Sequence, residues 1–179
     1  MAAIRYTPLR IKWEPLAIEG ETENVVRATD RLRRILRSWE DTPYMAGQGY
    51  KGVGADCVRA TVAIMAEWIR WDTPKFTTLP PDAALHSRRG AIRALIDILR
   101  ALPAHHRVRG RADVVYPGDV LITGHTNGGP GHAIIVGTEK NTLWQATQTG
   151  GFIKCGWALP PEFCRVYAVM RFRDLSGSF

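Results

Sequence analysis

The sequence predicts an α+β domain, with helices first and an antiparallel sheet of about five strands second. Three observations lead there. Up to residue 102, apolar residues recur at helical spacing in three separate segments. Beyond Pro117 they come instead in short runs bounded by glycine, proline or asparagine. The links between those runs are of hairpin length.

Residues 1–20 contain two prolines and no clear period, which predicts an extended arm or edge segment ahead of a single domain over 21–179. The first helix is expected from Glu21 to Trp39. Val25, Leu32, Ile35, Leu36 and Trp39 give it an apolar side, and Arg27, Arg31 and Arg34 follow helical spacing on the other. It ends before Thr42-Pro43, because a residue preceding proline avoids helical angles. A glycine-rich loop follows. The next helix, from Cys57 to about Trp71, is apolar nearly all round, interrupted mainly by Arg59, Glu67 and Arg70, so it is expected to be the buried central helix.

A third helix is expected over 88–102, where Ile92, Leu95, Ile96, Leu99 and Leu102 keep the spacing. Pro117-Gly118-Asp119 then makes a turn into the strand Val120–Thr123. A second glycine-rich loop leads to His132–Gly137. Asn141 turns the chain into Leu143–Ala146, and Phe152–Cys155 and Cys164–Phe172 complete the sheet.

Composition narrows the class of function. The 179 residues suffice for one domain with a real core, and 45% hydrophobic with 23% charged residues is ordinary globular composition. No apolar stretch reaches membrane-spanning length. Met1 to Trp13 lacks the apolar core of a secretory signal, so the expectation is synthesis in a cytoplasm and delivery by other means. A net charge of +7 favours anionic partners. Much of it lies in Arg27, Arg31, Arg33, Arg34 and Arg37, which read as the solvated face of a helix. No helix-turn-helix and no basic strand with interleaved aromatics argues for nucleic-acid readout.

The chemistry centres on Cys57. It stands behind a glycine-rich loop and opens an apolar helix, where backbone N–H groups and the helix dipole favour a thiolate. A thiol nucleophile needs a base, a group to orient that base, and donors for an oxyanion. Five histidines are available. His105 and His106 sit in a basic turn, His86 precedes the third helix and His125 lies in a glycine-rich loop. His132 opens an apolar strand directly after Gly-Gly-Pro-Gly, which fixes its ring and leaves room for a substrate. Gln145, on the next strand, is placed either to orient that ring through its carbonyl or simply to face solvent from the sheet. Cys155 and Cys164 read as core residues in apolar strands, with a bridge between them the alternative. The cysteines have neither C-x-x-C spacing nor paired histidines, so no metal site is expected.

Thr42-Pro-Tyr44, Gly52-Val-Gly-Ala-Asp-Cys57, Pro117-Gly-Asp119 and His132-Ala-Ile-Ile-Val-Gly137, in this order, resemble the NlpC-type cell-wall cysteine peptidases. The sequence is most similar in flavour to those carried on phage and gene-transfer-agent tails. The resemblance covers roughly residues 21–172. It implies a papain-like fold hydrolysing amide bonds in peptidoglycan stem peptides, commonly between D-glutamate and a diamino acid, without metal or organic cofactor. It further implies Cys57 as nucleophile, His132 as base and Gln145 as third polar residue. Asp56 matches an acidic residue that in relatives can hold the stem peptide's free amine, and Tyr44 a tyrosine that shapes the site beside the thiol.

Two positions depart from the pattern. Arg59 stands where the family usually has a small residue, and is read as narrowing the groove or binding a stem-peptide carboxylate. Gln145 stands where histidine is more usual. The functions in view are therefore a tail-borne peptidoglycan peptidase, a structural tail-tip protein keeping the fold, and a cysteine amidase or acyltransferase on another substrate. In the first two, tail-tip or hub proteins would be partners through the arm and the arginine-rich first helix.

Overall fold

A computed structural model describes residues 7–15, 22–70, 88–101, 113–125, 129–160, 163 and 165–172. In chain order they form β1 (Thr7–Pro8), β2 (Lys12–Trp13), α1 (Thr22–Trp39), β3 (Gly49–Tyr50), β4 (Gly54–Ala55), α2 (Cys57–Trp68) and α3 (Arg88–Ala101). There follow β5 (Val114–Val115), β6 (Val120–His125), β7 (Gly129–Val136), β8 (Thr142–Thr147), β9 (Gly151–Gly156), β10 (Ala158–Leu159) and β11 (Arg165–Met170). The expected class holds: three helices accompany a five-stranded antiparallel sheet of order β11-β6-β7-β8-β9. Strands β6 to β9 form a meander, and β11 returns to pair with β6.

Alternation along the strands separates two cores. Val120, Ile122, Ala133, Ile135, Trp144 and Ala146 face the helices, which contribute Leu32, Leu36, Ile64, Met65, Leu95 and Leu99. Leu121, Ile134, Val136 and Leu143 point the other way, into a smaller cluster closed by Leu9, Val115 and Leu159. The part of the N-terminal arm described here is thus built into the domain. Its β1 pairs with β10, its β2 runs parallel to β5, and Trp13 packs on the second core.

Helix α1 buries Val25, Ala28, Leu32, Ile35, Leu36 and Trp39 on one stripe. Its arginines are largely engaged within the chain. Arg27 pairs with Glu23, Arg33 with Asp30, Arg37 with Glu139, and Arg31 donates to the Glu67 carbonyl. Helix α2 stops at Trp68, short of the expected Trp71. Ile69 N–H closes on the Met65 carbonyl, and Arg70 takes a left-handed conformation (φ 52°) that cannot continue the helix. Nothing in the local pattern announces that turn.

The Pro117-Gly118-Asp119 turn is pinned from several sides. Gly118 has φ 85° and donates its N–H to the Val136 carbonyl at 2.9 Å. Asp119 is fully buried, accepts from the Tyr116 N–H at 3.0 Å, and pairs with Arg171, 3.0 Å away at the far end of the sheet's last strand. Arg171 also donates to the Val114 carbonyl and lies over the Tyr116 ring. A Cβ at position 118 would fall 2.3 Å from the Trp68 ring. Gly118→Ala is therefore expected to cost about 3 kcal/mol or more, from left-handed strain and overpacking together. Urea denaturation should show the loss; a midpoint equal to wild type would contradict it.

Candidate active site

The loop from Thr42 to Asp56 is folded by its own backbone and by two buried side chains. Thr42 Oγ1 accepts the Gly52 N–H at 3.0 Å, while its carbonyl accepts the Phe152 N–H at 2.8 Å. Ala55 N–H reaches the Pro43 carbonyl, Met45 N–H reaches the Ala55 carbonyl, and Tyr44 bridges Ala55 in parallel. Gly47 and Gly52 both adopt positive φ, which glycine meets without steric cost.

Asp56 is the N-cap of α2. Its Oδ1 accepts the Arg59 N–H at 2.8 Å. Its Oδ2 accepts the Gly47 N–H at 2.9 Å and Arg59 Nη1 at 2.6 Å. The carboxylate expected to meet a substrate amine is thus already held by three protein donors. Arg59 lies back along the loop, close enough that a Cβ at Gly49 would fall 2.9 Å from its own Cβ. Its guanidinium is engaged with Asp56, and its side chain is 18% exposed. Tyr44 is half-buried against the helix-side core.

Cys57 is the first residue of α2. Strands β7 and β8 are paired only at Ile135↔Trp144 and Val136↔Leu143. Past that point, where Ala133 would meet Ala146 in the same register, the Ala133 N–H acts on the Cys57 thiol and favours its thiolate. The residue before it is His132. Cys57 itself is partly buried against the helix-side core.

His132 is buried, at 5% exposure, and its Nε2 lies 2.7 Å from Gln145 Oε1. Gln145 is also buried, so its reading as an amide facing solvent falls away. Its Nε2 donates to Cys155 Sγ at 3.2 Å. The Phe163 ring covers the imidazole, with centroids 4.6 Å apart and planes at 33°. Among the residues expected at the site, the structure pairs His132 with Gln145 and Asp56 with Arg59, while Cys57 packs against the helix-side core. His132 is the fourth residue of β7, which already begins at Gly129, so it does not open its strand as expected. Phe163 and Cys155 were not anticipated. Cys155 is diagonal to Gln145 across the β8–β9 ladder (Gln145↔Ile153), a register that local pattern does not give. It is a free thiol. Cys164, His86, His105 and His106 fall outside the described residues, as does the side chain of His125.

The thiol differs from expectation in its electrostatics. The N–H groups of Ala133, Cys57 and Val58 favour the thiolate, but burial outweighs them and pushes the Cys57 pKa from 9.0 up to about 11, with the Asp56 charge adding to the rise. Burial likewise raises Cys155 to about 11, against the Gln145 hydrogen bond. A resting site of this kind holds a neutral thiol, so any nucleophile must be generated by a base during reaction.

Compared with protein-family models and with curated proteins, the sequence matches none. Among the described residues no group of His, Cys, Asp and Glu is arranged to hold a metal ion. No described helix is long and apolar enough to cross a membrane.

Two measurements follow from the raised thiols. A pKa of about 11 in place of 9.0 lowers the thiolate fraction at neutral pH about a hundredfold. Iodoacetamide labelling of Cys57, read by peptide mass spectrometry, should keep accelerating beyond pH 9; a plateau near pH 7 would mean a preformed thiolate. Stability should follow the same groups. A thiol whose folded pKa is raised contributes fully below pH 9, and the contribution is lost as pH rises towards about 11. The melting temperature should fall across that window, and less steeply in Cys155→Ala.

Proposed function

We propose that this chain is a papain-like, NlpC-type cysteine peptidase, carried on a phage tail, that cleaves amide bonds in peptidoglycan stem peptides. The observation that carries the reading is the thiol of Cys57 at a helix N-terminus, in a domain whose sheet holds His132 against Gln145 at 2.7 Å. The order of motifs around these residues supplies the substrate class.

In the proposed reaction, His132 takes the Cys57 proton as the sulfur attacks the amide carbonyl, which a thiol at about 11 requires. An S–C bond forms, and the oxyanion is held by the Cys57 N–H at the head of the helix. The C–N bond then breaks as the imidazolium gives its proton to the leaving amine. Water, deprotonated by His132, adds to the thioester; the S–C bond breaks, releasing a carboxylic acid and restoring the thiol. Gln145 accepts the Nε2–H of His132 throughout and stabilises the imidazolium. Tyr44 would border the thiol. Arg59, held on Asp56, would present its remaining N–H groups to a stem-peptide carboxylate.

A structural tail-tip role that keeps the fold without strong activity has one observation of its own. Asp56 engages its carboxylate with the cap, the loop and Arg59, so a substrate amine would have to compete with three donors already in place.

Incubation with purified peptidoglycan, followed by mass spectrometry of muropeptides, separates the two. Wild type should release cut stem peptides, Cys57→Ala none, and His132→Ala should lose on the order of 10²–10⁴ in rate. Identical muropeptide profiles for wild type and Cys57→Ala would sink the peptidase reading and favour the structural one.

A further inference from the structure

We propose that the β3–β4 hairpin ahead of α2 is a glycan-contacting face, on which Tyr50, Met45 and Val53 meet the uncharged sugar strand that carries the stem peptides. The inference deepens the peptidase reading and takes its substrate polymer from it.

The hairpin has two unlike faces. Gly49 pairs with Ala55 and Tyr50 with Gly54, so the first pair looks to one side and the second to the other. The first side is packed down. Ala55 is buried, and a Cβ at Gly49 would fall 2.9 Å from the Arg59 Cβ on the first turn of α2. The second side is open. Tyr50 is 57% exposed, and Met45 fills the space above Gly54, where an added Cβ would lie 2.7 Å from its Cβ and 3.1 Å from its Sδ. Val53, in the turn, is 65% exposed. Thus, of the four large hydrophobic residues exposed among the described residues, three belong to this one loop.

The face is formed before anything binds. Lys51 Nζ reaches Ser38 Oγ at 3.0 Å and Glu67 Oε2 at 3.4 Å, tying the turn to α1 and α2. Thr42 Oγ1 accepts the Gly52 N–H, and the Tyr50 carbonyl accepts the Val53 N–H at 3.1 Å. A surface held in this way loses little freedom when a ligand arrives.

Size and charge select the occupant. Three side chains are far fewer than the roughly 20–30 residues a side of a stable protein interface, so a slender ligand suits the face. Lys51 is the one charged residue from 42 to 55, and it is turned to Glu67, which leaves the face itself uncharged. A pyranose ring matches this chemistry: its C–H side stacks on an aromatic ring, and its hydroxyl and acetamide groups hydrogen-bond to backbone. Backbone is uncovered at Gly47 and Gly52, where an added Cβ would meet nothing within 4 Å. The Met45 N–H is bonded to the Ala55 carbonyl, so the face begins two residues before Cys57. A sugar strand lying there brings its peptides to the N-terminus of α2.

The test uses Cys57→Ala protein with ¹³C-labelled methionine methyls, and peptide-free glycan strands as the probe. Hairpin variants are first checked for a wild-type melting curve, which such exposed positions should keep. Glycan should shift the Met45 methyl signal; Tyr50→Ala should abolish the shift, and Tyr50→Phe, which keeps the ring, should retain it. With Cys57 intact, Tyr50→Ala should raise KM about tenfold on soluble glycan-linked peptides at unchanged kcat, and change neither on free stem peptides. Glycan binding by a protein that cuts nothing would uphold the face while the peptidase reading fails. The face would be overturned, however robust the cleavage, by no glycan shift, by a shift or a KM that Tyr50→Ala leaves unchanged, or by a shift given instead by phosphatidylglycerol vesicles or by self-association.

Discussion

The carboxylate of Asp56 holds the front of this domain together. One oxygen caps α2 through the Arg59 N–H; the other gathers the glycine loop through Gly47 and the Arg59 side chain. Hydrogen bonds to a charged acceptor are the stronger kind, and here they come from three directions around a residue that is almost fully buried. Cys57 follows immediately, so the start of the helix, the path of the loop and the position of the thiol are set by one side chain. The same engagement makes Arg59 part of the scaffold, through both its backbone N–H and its side chain.

Two opposing effects meet at the thiol. A helix N-terminus lowers a cysteine pKa, and the N–H groups of Cys57, Val58 and Ala133 act in that sense. Burial acts against them and is larger. The balance leaves the thiol protonated at neutral pH. Helix α2 carries Cys57 and the sheet carries His132. Helix α2 packs against β7, which separates from β8 beyond Ile135.

Much of the architecture was legible in the sequence. Helical spacing of apolar residues located α1 and α3 to within a residue at each end, because burying a stripe on one side of a helix is a local property of the chain. Short apolar runs between turn residues located all five strands of the main sheet. The end of α2 was less legible. Its close depends on Arg70 adopting a left-handed conformation, which its residue type does not favour. At the site, the pairing of His132 with Gln145 was legible from a hairpin that sets them thirteen positions apart, though not whether the amide would be buried.

By itself the sequence determined the order and type of elements, the placement of Cys57 at a helix start, and the family resemblance its motifs carry. It placed His132 at a strand start, whereas β7 begins at Gly129 through pairing with the end of β6. Only the tertiary structure decided that Asp56 is consumed by Arg59 and Gly47, and that Asp119 and Arg171 form a buried pair across 52 positions. It also decided that Cys155 stands behind Gln145 and that Phe163 covers the imidazole. The physical reason is range. Periodicity and capping are written within one or two turns of chain, whereas these contacts depend on strand register, sheet splitting and layer packing, where a shift of one residue sends every side chain to the other face.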